Sequence, residues 1–179
     1  HSFPTRRSSD RVEKDALSGI LKRVTSKYGI RLMVNRGYSS CSAMYDAYKR
    51  MSEHDSVYIL YLWDHDPSGL DMIRDIKNRL FEFWVDVTID HLAITEEQIS
   101  NYPPPPNPAK FTDPRAWWYI DKFWEKSWEV DALPPDVLIK ILDSRIRELI
   151  DMTMYNNIIA KEDEDRETME DFAEKLKNS

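Results

Sequence analysis

An apolar run that ends in two acids constrains the fold of this chain more than any other feature. The run, Val-Tyr-Ile-Leu-Tyr-Leu-Trp over 57–63, leads directly into Asp64-His-Asp66-Pro-Ser-Gly69. It predicts a buried strand, and the apolar spacing over 70–83 predicts a helix after it. In open α/β sheets, ligands bind at the carboxyl ends of the strands. The pattern therefore predicts an acidic pair at a binding edge.

Predicted helices and strands alternate through the first half of the chain. The helical segments are 13–28, 42–53 and 69–83, and the strand segments are 30–34, 56–63 and 85–94. Gly29 is placed to end the first helix. This alternation predicts an α/β fold with a parallel sheet that is covered by helices.

The first ten residues, His-Ser-Phe-Pro-Thr-Arg-Arg-Ser-Ser-Asp, differ from the rest of the chain. They lack apolar periodicity and an initiator Met, and they resemble a translated sequencing adaptor. We expect a non-native segment, with an ordinary disordered N-terminus as the alternative. Because the alternation also requires a strand before Glu13, we expect the natural protein to continue upstream.

The second half of the chain has a different organisation. Thr95 and Gln98 have the spacing of a capping box, and the proline run over 102–108 predicts an extended connector. An amphipathic helix is predicted over 134–152, and the charged residues 161–179 predict a solvated helix or tail. The predicted domains are an α/β domain over 11–94, a connector over 95–114 and a mostly helical C-terminal extension over 115–179.

Charge and composition limit the classes of partner. The formal net charge of −7 argues against a broad surface for polyanions, although carboxylates that bind metal count as negative in this sum. The single cysteine, Cys41, excludes an internal disulfide. No apolar run approaches the roughly 20 residues of a membrane span, and no signal-peptide pattern is present. We therefore expect a cytoplasmic protein without a membrane partner.

Three acids are predicted to meet at one edge of the sheet. Glu13 opens the first helix after the expected upstream strand, and Asp64 and Asp66 end the central strand. Gly37 lies in the loop after another predicted strand, at the same edge. A lone glutamate beside an Asp-x-Asp pair predicts a divalent-metal site, because Mg²⁺ prefers such oxygen ligands.

These residues resemble the Toprim domain of the topoisomerase VI A subunit and of the meiotic double-strand-break proteins. The matching motifs are Val12-Glu13-Lys14, Arg36-Gly37-Tyr38-Ser39 and Asp64-His-Asp66-Pro-Ser-Gly69. The pattern Asp-x-Asp-Pro-x-Gly is the most specific of them, and the resemblance covers about 11–94. A looser resemblance to phage and bacterial relatives covers Asn107-Pro-Ala-Lys110, Thr112-Asp-Pro-Arg115 and 127–133.

The resemblance implies Mg²⁺-dependent cleavage, or cleavage and rejoining, of DNA, with Mn²⁺ as a substitute ion. It implies that Asp64 and Asp66 are metal ligands and that Glu13 is a general acid/base or a further ligand. The nucleophile would be a tyrosine from a separate upstream domain or a metal-activated water. DNA is the implied partner, and a homodimer would suit the cutting of both strands.

Basic and glycine residues complete the set of candidates. Arg36, Lys110 and Arg115 are candidate contacts to DNA phosphates, although Arg36 could be a solvated loop residue. Gly37 and Gly69 are candidate structural glycines of the two loops, and Gly37 could supply a turn with positive φ.

Other interpretations remain open for the acids. Asp66 could simply cap the next helix, and Glu13 could be a first-turn acid that faces the helix dipole. The motif also matches half of an EF-hand loop, with Asp75 at position twelve, and an aspartyl-nucleophile phosphatase also uses Asp-x-Asp after a strand. His65 is expected to point away from its neighbours and not to bind metal.

Two features of the C-terminal extension also allow more than one interpretation. Glu129 and Asp131 could complete the metal site or orient Arg115, or they could mark an exposed strand end before a helix cap. The aromatic residues of 117–128 favour a core role over the stacking of unpaired bases. At the level of the whole chain, the rival to an enzyme is a non-catalytic DNA-binding or scaffolding module with the same fold.

Overall fold

The computed structural model describes residues 7–34, 41–54, 56–103, 105–108, 116–123 and 126–177. The chain divides into two compact units, His1–Leu142 and Asp143–Ser179. The described part is an α/β arrangement with a small two-stranded parallel sheet flanked by helices, and its C-terminal part is helical. The predicted fold class is confirmed at this level.

Within the described residues, the helices and strands have the following bounds. The helices are α1 (Arg7–Lys27), α2 (Cys41–Met51), α3 (Pro67–Glu82), α4 (Glu96–Asn101), α5 (Ala116–Phe123), α6 (Pro135–Leu149) and α7 (Met152–Lys177). The strands are β1 (Val57–Leu62), β2 (Val87–Ala93), β3 (Asn107–Pro108) and β4 (Lys126–Ser127), and a 3₁₀ turn spans Val130–Ala132.

The strands β1 and β2 form the parallel pair that the sequence predicts. The pairing runs in register from Val57 opposite Val87 to Tyr61 opposite His91. The register then shifts, so that Leu62 lies opposite Ala93. The short strands β3 and β4 form a separate antiparallel pair.

One apolar cluster lies at the amino end of the sheet. Its buried residues come from α2, from α3, from the turn before β2 and from the start of β2: Met44, Leu80, Val85 and Val87. Val57 and Ile59 of β1 pack against them. Burial of a side chain such as Leu80, which is fully buried, stabilises the fold by about 1.5–3 kcal/mol.

A second apolar cluster lies at the carboxyl end of the same strands. Its buried residues are Ala93, Ile94, Val130, Leu133 and Leu138, and partly buried residues that pack against it include Leu17 and Leu62. The cluster therefore joins α1, the end of the sheet, the 3₁₀ turn and the start of α6. The candidate functional residues of the described part lie at this carboxyl end of the sheet.

The predicted strand over 30–34 is wrong, because these residues have no regular structure. The helix α1 ends in a Schellman motif, in which Gly29 has φ +67° and its N–H donates to Ser26 O at 3.2 Å. Ile30 N–H donates to Thr25 O at 2.9 Å, so the chain turns back on the helix. Gly29 is confirmed as the residue that ends α1.

The first helix begins earlier than the apolar spacing indicates. It starts at Arg7, so residues 7–10 of the N-terminal decapeptide are helical, and residues 1–6 lie outside the described part. Glu13 lies within α1, one turn before Leu17. The origin of the decapeptide stays a prediction.

The second unit contains the long helix α7. It begins after Asp151, whose Oδ1 accepts hydrogen bonds from Thr153 N–H (2.9 Å) and Met154 N–H (3.0 Å). No residue of α7 is buried. Among the described helices, none combines the length and the apolar character that a membrane span requires.

Candidate functional site

The two aspartates of the motif lie just beyond the carboxyl end of β1. Pairing with the second strand continues through Trp63, whose N–H donates to Ala93 O at 2.7 Å and whose carbonyl accepts from Ile94 N–H at 2.9 Å. Asp64 follows directly, and α3 begins at Pro67. Because β1 and β2 are parallel, both acids lie at the edge where such sheets bind ligands.

Asp66 is the N-cap of α3. Its backbone is extended, and its Oδ1 accepts a hydrogen bond from Gly69 N–H at 2.6 Å. Pro67 lies in the first turn, where a missing N–H leaves no partner unsatisfied. The capping role is therefore confirmed. This contact involves Oδ1, one of two carboxylate oxygens that can accept bonds.

Gly69 is needed because two parts of the chain approach closely. It is buried in the first turn of α3, and an added Cβ would lie 2.6 Å from Trp63 Cδ1 and would collide with the Asp64 carbonyl oxygen. The glycine therefore allows α3 to start directly against the chain that carries Asp64.

Asp64 is held by a residue from far along the chain. Its Oδ1 accepts a hydrogen bond from Val130 N–H at 2.9 Å. Val130 opens the 3₁₀ turn, and its side chain is buried in the second apolar cluster. The C-terminal segment (residues 119–123 and 126–130) thus reaches the acidic pair through Val130. Glu129, which is exposed, and Asp131 flank the residue that binds Asp64.

His65, between the two aspartates, is buried with 3% of its surface exposed. Its N–H donates to Trp128 O at 2.7 Å, and its carbonyl accepts from Trp128 N–H at 3.1 Å, which forms an isolated antiparallel bridge. The same carbonyl accepts from the Tyr119 hydroxyl at 2.6 Å. His65 therefore links the acidic loop (residues 64–66) to the C-terminal segment. That His65 does not bind metal stays a prediction.

The hydrogen bonds of Tyr119 assign the tautomer of His65. The hydroxyl oxygen of Tyr119 lies 2.8 Å from His65 Nδ1. Its one hydrogen is donated to the His65 carbonyl, so the oxygen accepts from Nδ1–H. The Phe123 ring packs edge-on against the imidazole, with ring centroids 4.6 Å apart. The side chain is thus fixed in one orientation.

Burial keeps the histidine of this loop neutral. Burial lowers the pKa of His65, the neighbouring His91 and Lys122 lower it further, and the charge of Glu96 opposes them. The neutral imidazole that this shift favours carries its hydrogen on Nδ1, where it can donate to the tyrosine oxygen.

Two tyrosine hydroxyls near the pair stay protonated. Burial raises the pKa of Tyr119, and the charge of Asp66 raises it further. Burial also raises the pKa of Tyr61, with Asp64 and Asp66 acting in the same direction. The Tyr61 hydroxyl donates to the Gly69 carbonyl at 3.3 Å. Both tyrosines therefore act as hydrogen-bond donors at neutral pH.

His91 is a second imidazole at this end of the sheet, and it is partly buried. It lies opposite Tyr61 in the strand register, with ring centroids 6.0 Å apart. Burial lowers the pKa of His91, and a hydrogen bond with the backbone of Ala93 opposes this effect. Its Nε2 is buried without a hydrogen-bond partner in the described part of the chain.

The structure brings together only some of the predicted site residues. Asp64, Asp66 and Gly69 lie in one turn. The side chain of Glu13 lies outside the description, although its backbone belongs to α1. Four further candidates lie outside the described residues: Arg36, Gly37, Lys110 and Arg115.

The acidic pair has the donor chemistry of a magnesium ligand set. Two carboxylates supply hard oxygen atoms, and Mg²⁺ is commonly held by one or two carboxylates, with water and phosphate oxygens in the remaining positions. In the part of the chain that is described, no group of three or more His, Cys, Asp or Glu side chains is placed to hold a metal. The donor chemistry of the pair suits Mg²⁺, and a metal site with Glu13 as a further ligand stays a prediction.

Sequence reasoning missed three groups that support the pair: the His65 main chain, the Tyr119 hydroxyl and the Val130 N–H. Their partners lie 54 and 66 positions apart in the chain. One signal pointed toward them, namely the aromatic segment that predicts a core. That prediction applies to Tyr119, which is fully buried, but not to Trp117, which is 76% exposed.

Comparison of the chain with protein-family models, with curated proteins and with solved structures found no match.

Proposed function

We propose that this chain performs Mg²⁺-dependent cleavage, or cleavage and rejoining, of DNA phosphodiester bonds as a Toprim-like domain of a larger topoisomerase-like or nuclease protein. The observation that carries the proposal is the position of Asp64 and Asp66. They follow a strand of a parallel sheet, and each has its Oδ1 held by a backbone N–H. The sequence pattern Asp-x-Asp-Pro-x-Gly supports the same assignment.

In this proposal the protein binds and orients the reacting groups. Bound Mg²⁺ supplies stabilisation of the charge that develops on the scissile phosphate and its leaving oxygen. Asp64 and Asp66 hold the ion, and their backbone donors orient the two carboxylates before DNA arrives. Glu13 holds or moves the proton at the attacking or leaving oxygen. The product distinguishes the two possible nucleophiles. Attack by a tyrosine leaves protein covalently attached to the cut DNA end, whereas attack by water leaves a free end.

DNA contact must rely on local positive charge. The net charge of the chain is −7, so the bulk of the surface repels phosphate. The proposed contacts are Arg36, Lys110 and Arg115, with the bound cation next to the scissile bond. Because such contacts release counterions, binding should weaken steeply with salt. We place this activity in the cytoplasm of a bacterium or of a phage-infected cell, and a homodimer would present one site to each DNA strand.

A second candidate function is a non-catalytic DNA-binding or scaffolding module. One observation favours it: Asp66 caps α3, which gives this carboxylate a role without metal. The two functions differ in what Asp64 does. In the enzyme its charge is essential, whereas in the scaffold its charge only repels DNA.

A plasmid-nicking assay with Mg²⁺, paired with a DNA-binding measurement, separates the two. Asp64→Asn should reduce nicking by more than about 100-fold, since even the groups that orient metal ligands are worth roughly 10–100-fold. Asp86→Asn is the matched control, because Asp86 is exposed and precedes β2 at the opposite end of the sheet. It should nick DNA like the wild type.

The opposite outcome would favour the scaffold. In that case the wild-type protein binds DNA without nicking it, and Asp64→Asn binds DNA equally well or more tightly.

A further inference from the structure

We propose that the Tyr119 hydroxyl and the Val130 N–H are positioning groups for the Asp64/Asp66 pair, so that the C-terminal segment (residues 119–123 and 126–130) completes the candidate site. The inference rests on the proposed function, because it takes the pair to bind a divalent cation. Tyr119 and Val130 would touch neither the cation nor DNA. They act through the aspartates and the residue between them.

The first step is the main chain of His65. Its carbonyl oxygen accepts two hydrogen bonds, from the Tyr119 hydroxyl (2.6 Å) and from Trp128 N–H (3.1 Å), and its own N–H donates to Trp128 O (2.7 Å). The backbone of one residue offers one N–H donor and one carbonyl oxygen with two acceptor sites, and all three are used in His65. The residue between the two aspartates is therefore fixed along its backbone by the segment.

The second step is the orientation of Asp64. One of its oxygens, Oδ1, accepts the Val130 N–H at 2.9 Å, and a hydrogen bond to a charged carboxylate is stronger than one between neutral groups. The Val130 side chain is anchored in the second apolar cluster with Leu133 and Leu138. The donor is thus held rigidly, and it limits rotation of the carboxylate.

The third step separates the hydroxyl from the ring that carries it. The Tyr119 ring is fully buried and packs against Phe123, with centroids 4.9 Å apart. This packing would persist in Tyr119→Phe, whereas the bonds to His65 would not. The hydroxyl therefore offers a way to loosen the acidic loop without removing the core around it.

The consequence for a cation follows from how metal sites behave. Groups that orient the ligands of a metal are worth roughly 10–100-fold in affinity. We therefore expect Tyr119→Phe to weaken Mn²⁺ binding about 10-fold. Val130→Pro removes the N–H at the first position of a 3₁₀ turn, and it also replaces the buried valine side chain by a ring. It should have an effect on Mn²⁺ binding of the same size.

The experiment is a Mn²⁺ titration, followed by electron paramagnetic resonance of the unbound ion, on the full chain. Circular dichroism melts accompany every variant. Tyr48→Phe is the matched control for the loss of a hydroxyl, because Tyr48 packs in the first apolar cluster, at the amino end of β1. Val87→Ala, in the same cluster, is the control for lost stability. It should melt earlier and bind Mn²⁺ like the wild type.

The possible outcomes test the positioning role of Tyr119 and Val130 separately from the proposed metal-dependent function. Weaker Mn²⁺ binding by folded Tyr119→Phe and Val130→Pro, with both controls unchanged, supports the inference. If Tyr119→Phe does not fold, Val130→Pro decides. Wild-type affinity in these folded variants, while Asp64→Asn/Asp66→Asn no longer binds, overturns the inference alone. If the wild-type chain does not bind Mn²⁺, the proposed function fails as well.

Discussion

At the scale of single residues, the loop that carries Asp64 and Asp66 depends on a glycine, Gly69, as much as on its acidic side chains. Gly69 lies where any Cβ would meet the Asp64 carbonyl oxygen and Trp63. The sequence predicts a structural glycine here, but it cannot show the reason, which is the close approach of a helix to the strand end that precedes it.

Gly69→Ala should destabilise the protein by about 1–3 kcal/mol, the usual cost of overpacking a close contact. Urea unfolding at neutral pH measures this as a lower midpoint. Gly19→Ala is the matched control. Gly19 lies within α1, and apart from its own helix backbone and chain neighbours no atom of the described residues lies within 4 Å of its added Cβ. This change should therefore stabilise the helix by about 0.5–1 kcal/mol. A Gly69→Ala variant as stable as the wild type would contradict the close approach.

The burial of His65 could not be predicted from the residues near it in the sequence. Its neighbours in sequence give no sign that it is buried, because the groups that bury it lie 54 or more positions later in the chain: Tyr119, Phe123 and Trp128. Alternation along a strand predicts which side a residue faces. It does not predict which distant segment covers that side.

At the scale of elements, the sequence predicts those that carry their own local signals. The run 57–63 forms a strand because β2 pairs with it. The helix α3 begins at Pro67, two residues before the predicted start, and Asp66 caps it as one interpretation expected. The run 30–34 has similar apolar composition but no strand beside it in the described residues, and Ile30, Met33 and Val34 are exposed. Apolar composition allows a strand to form, but a strand also needs a partner.

The start of α3 tests the two roles of Asp66 separately. Asp66→Asn keeps an oxygen that accepts the Gly69 N–H, and Asn is a good N-cap, so stability without metal should change little. Asp66→Ala loses the cap and should cost about 1 kcal/mol. Thermal melts in EDTA measure both, and Mn²⁺ affinity should fall in both. If Asp66→Asn binds Mn²⁺ like the wild type, Asp66 is a cap and not a ligand.

At the scale of the whole molecule, two histidines, the buried His65 and the partly buried His91, make stability depend on pH. Burial lowers the pKa of His65 and of His91 below the ordinary value of 6.5. The unfolded chain therefore binds protons first as the pH falls, and stability decreases from about pH 6.5 down to the folded pKa values. Each group adds at most about 1.4 kcal/mol per pH unit.

Urea unfolding between pH 7 and pH 5 should show this loss of stability. His91→Phe keeps a ring of similar volume and removes one titrating group, so the decrease should become shallower. A wild-type stability that is constant or rises as the pH falls over this window would contradict the assignment of buried, neutral imidazoles.

The candidate site is also a property of the whole fold. The end of β1, the first turn of α3 and the C-terminal segment meet at Asp64 and Asp66. The turn contributes the Gly69 N–H, and the C-terminal segment contributes the Val130 N–H and the Tyr119 hydroxyl. Local signals predict the strand end and the turn. The contribution of the C-terminal segment arises from packing between distant parts of the chain, which a single sequence does not reveal.

We propose that Asp64 and Asp66 form a divalent-metal site. The most direct measurement is a Mn²⁺ titration by electron paramagnetic resonance on the wild-type chain and on Asp64→Asn/Asp66→Asn, with circular dichroism to verify that both are folded. We predict saturable binding by the wild type, displaced by Mg²⁺ and lost in the double variant. Equal binding by the two folded proteins, or no binding by either, would contradict the claim and leave both aspartates as structural acids.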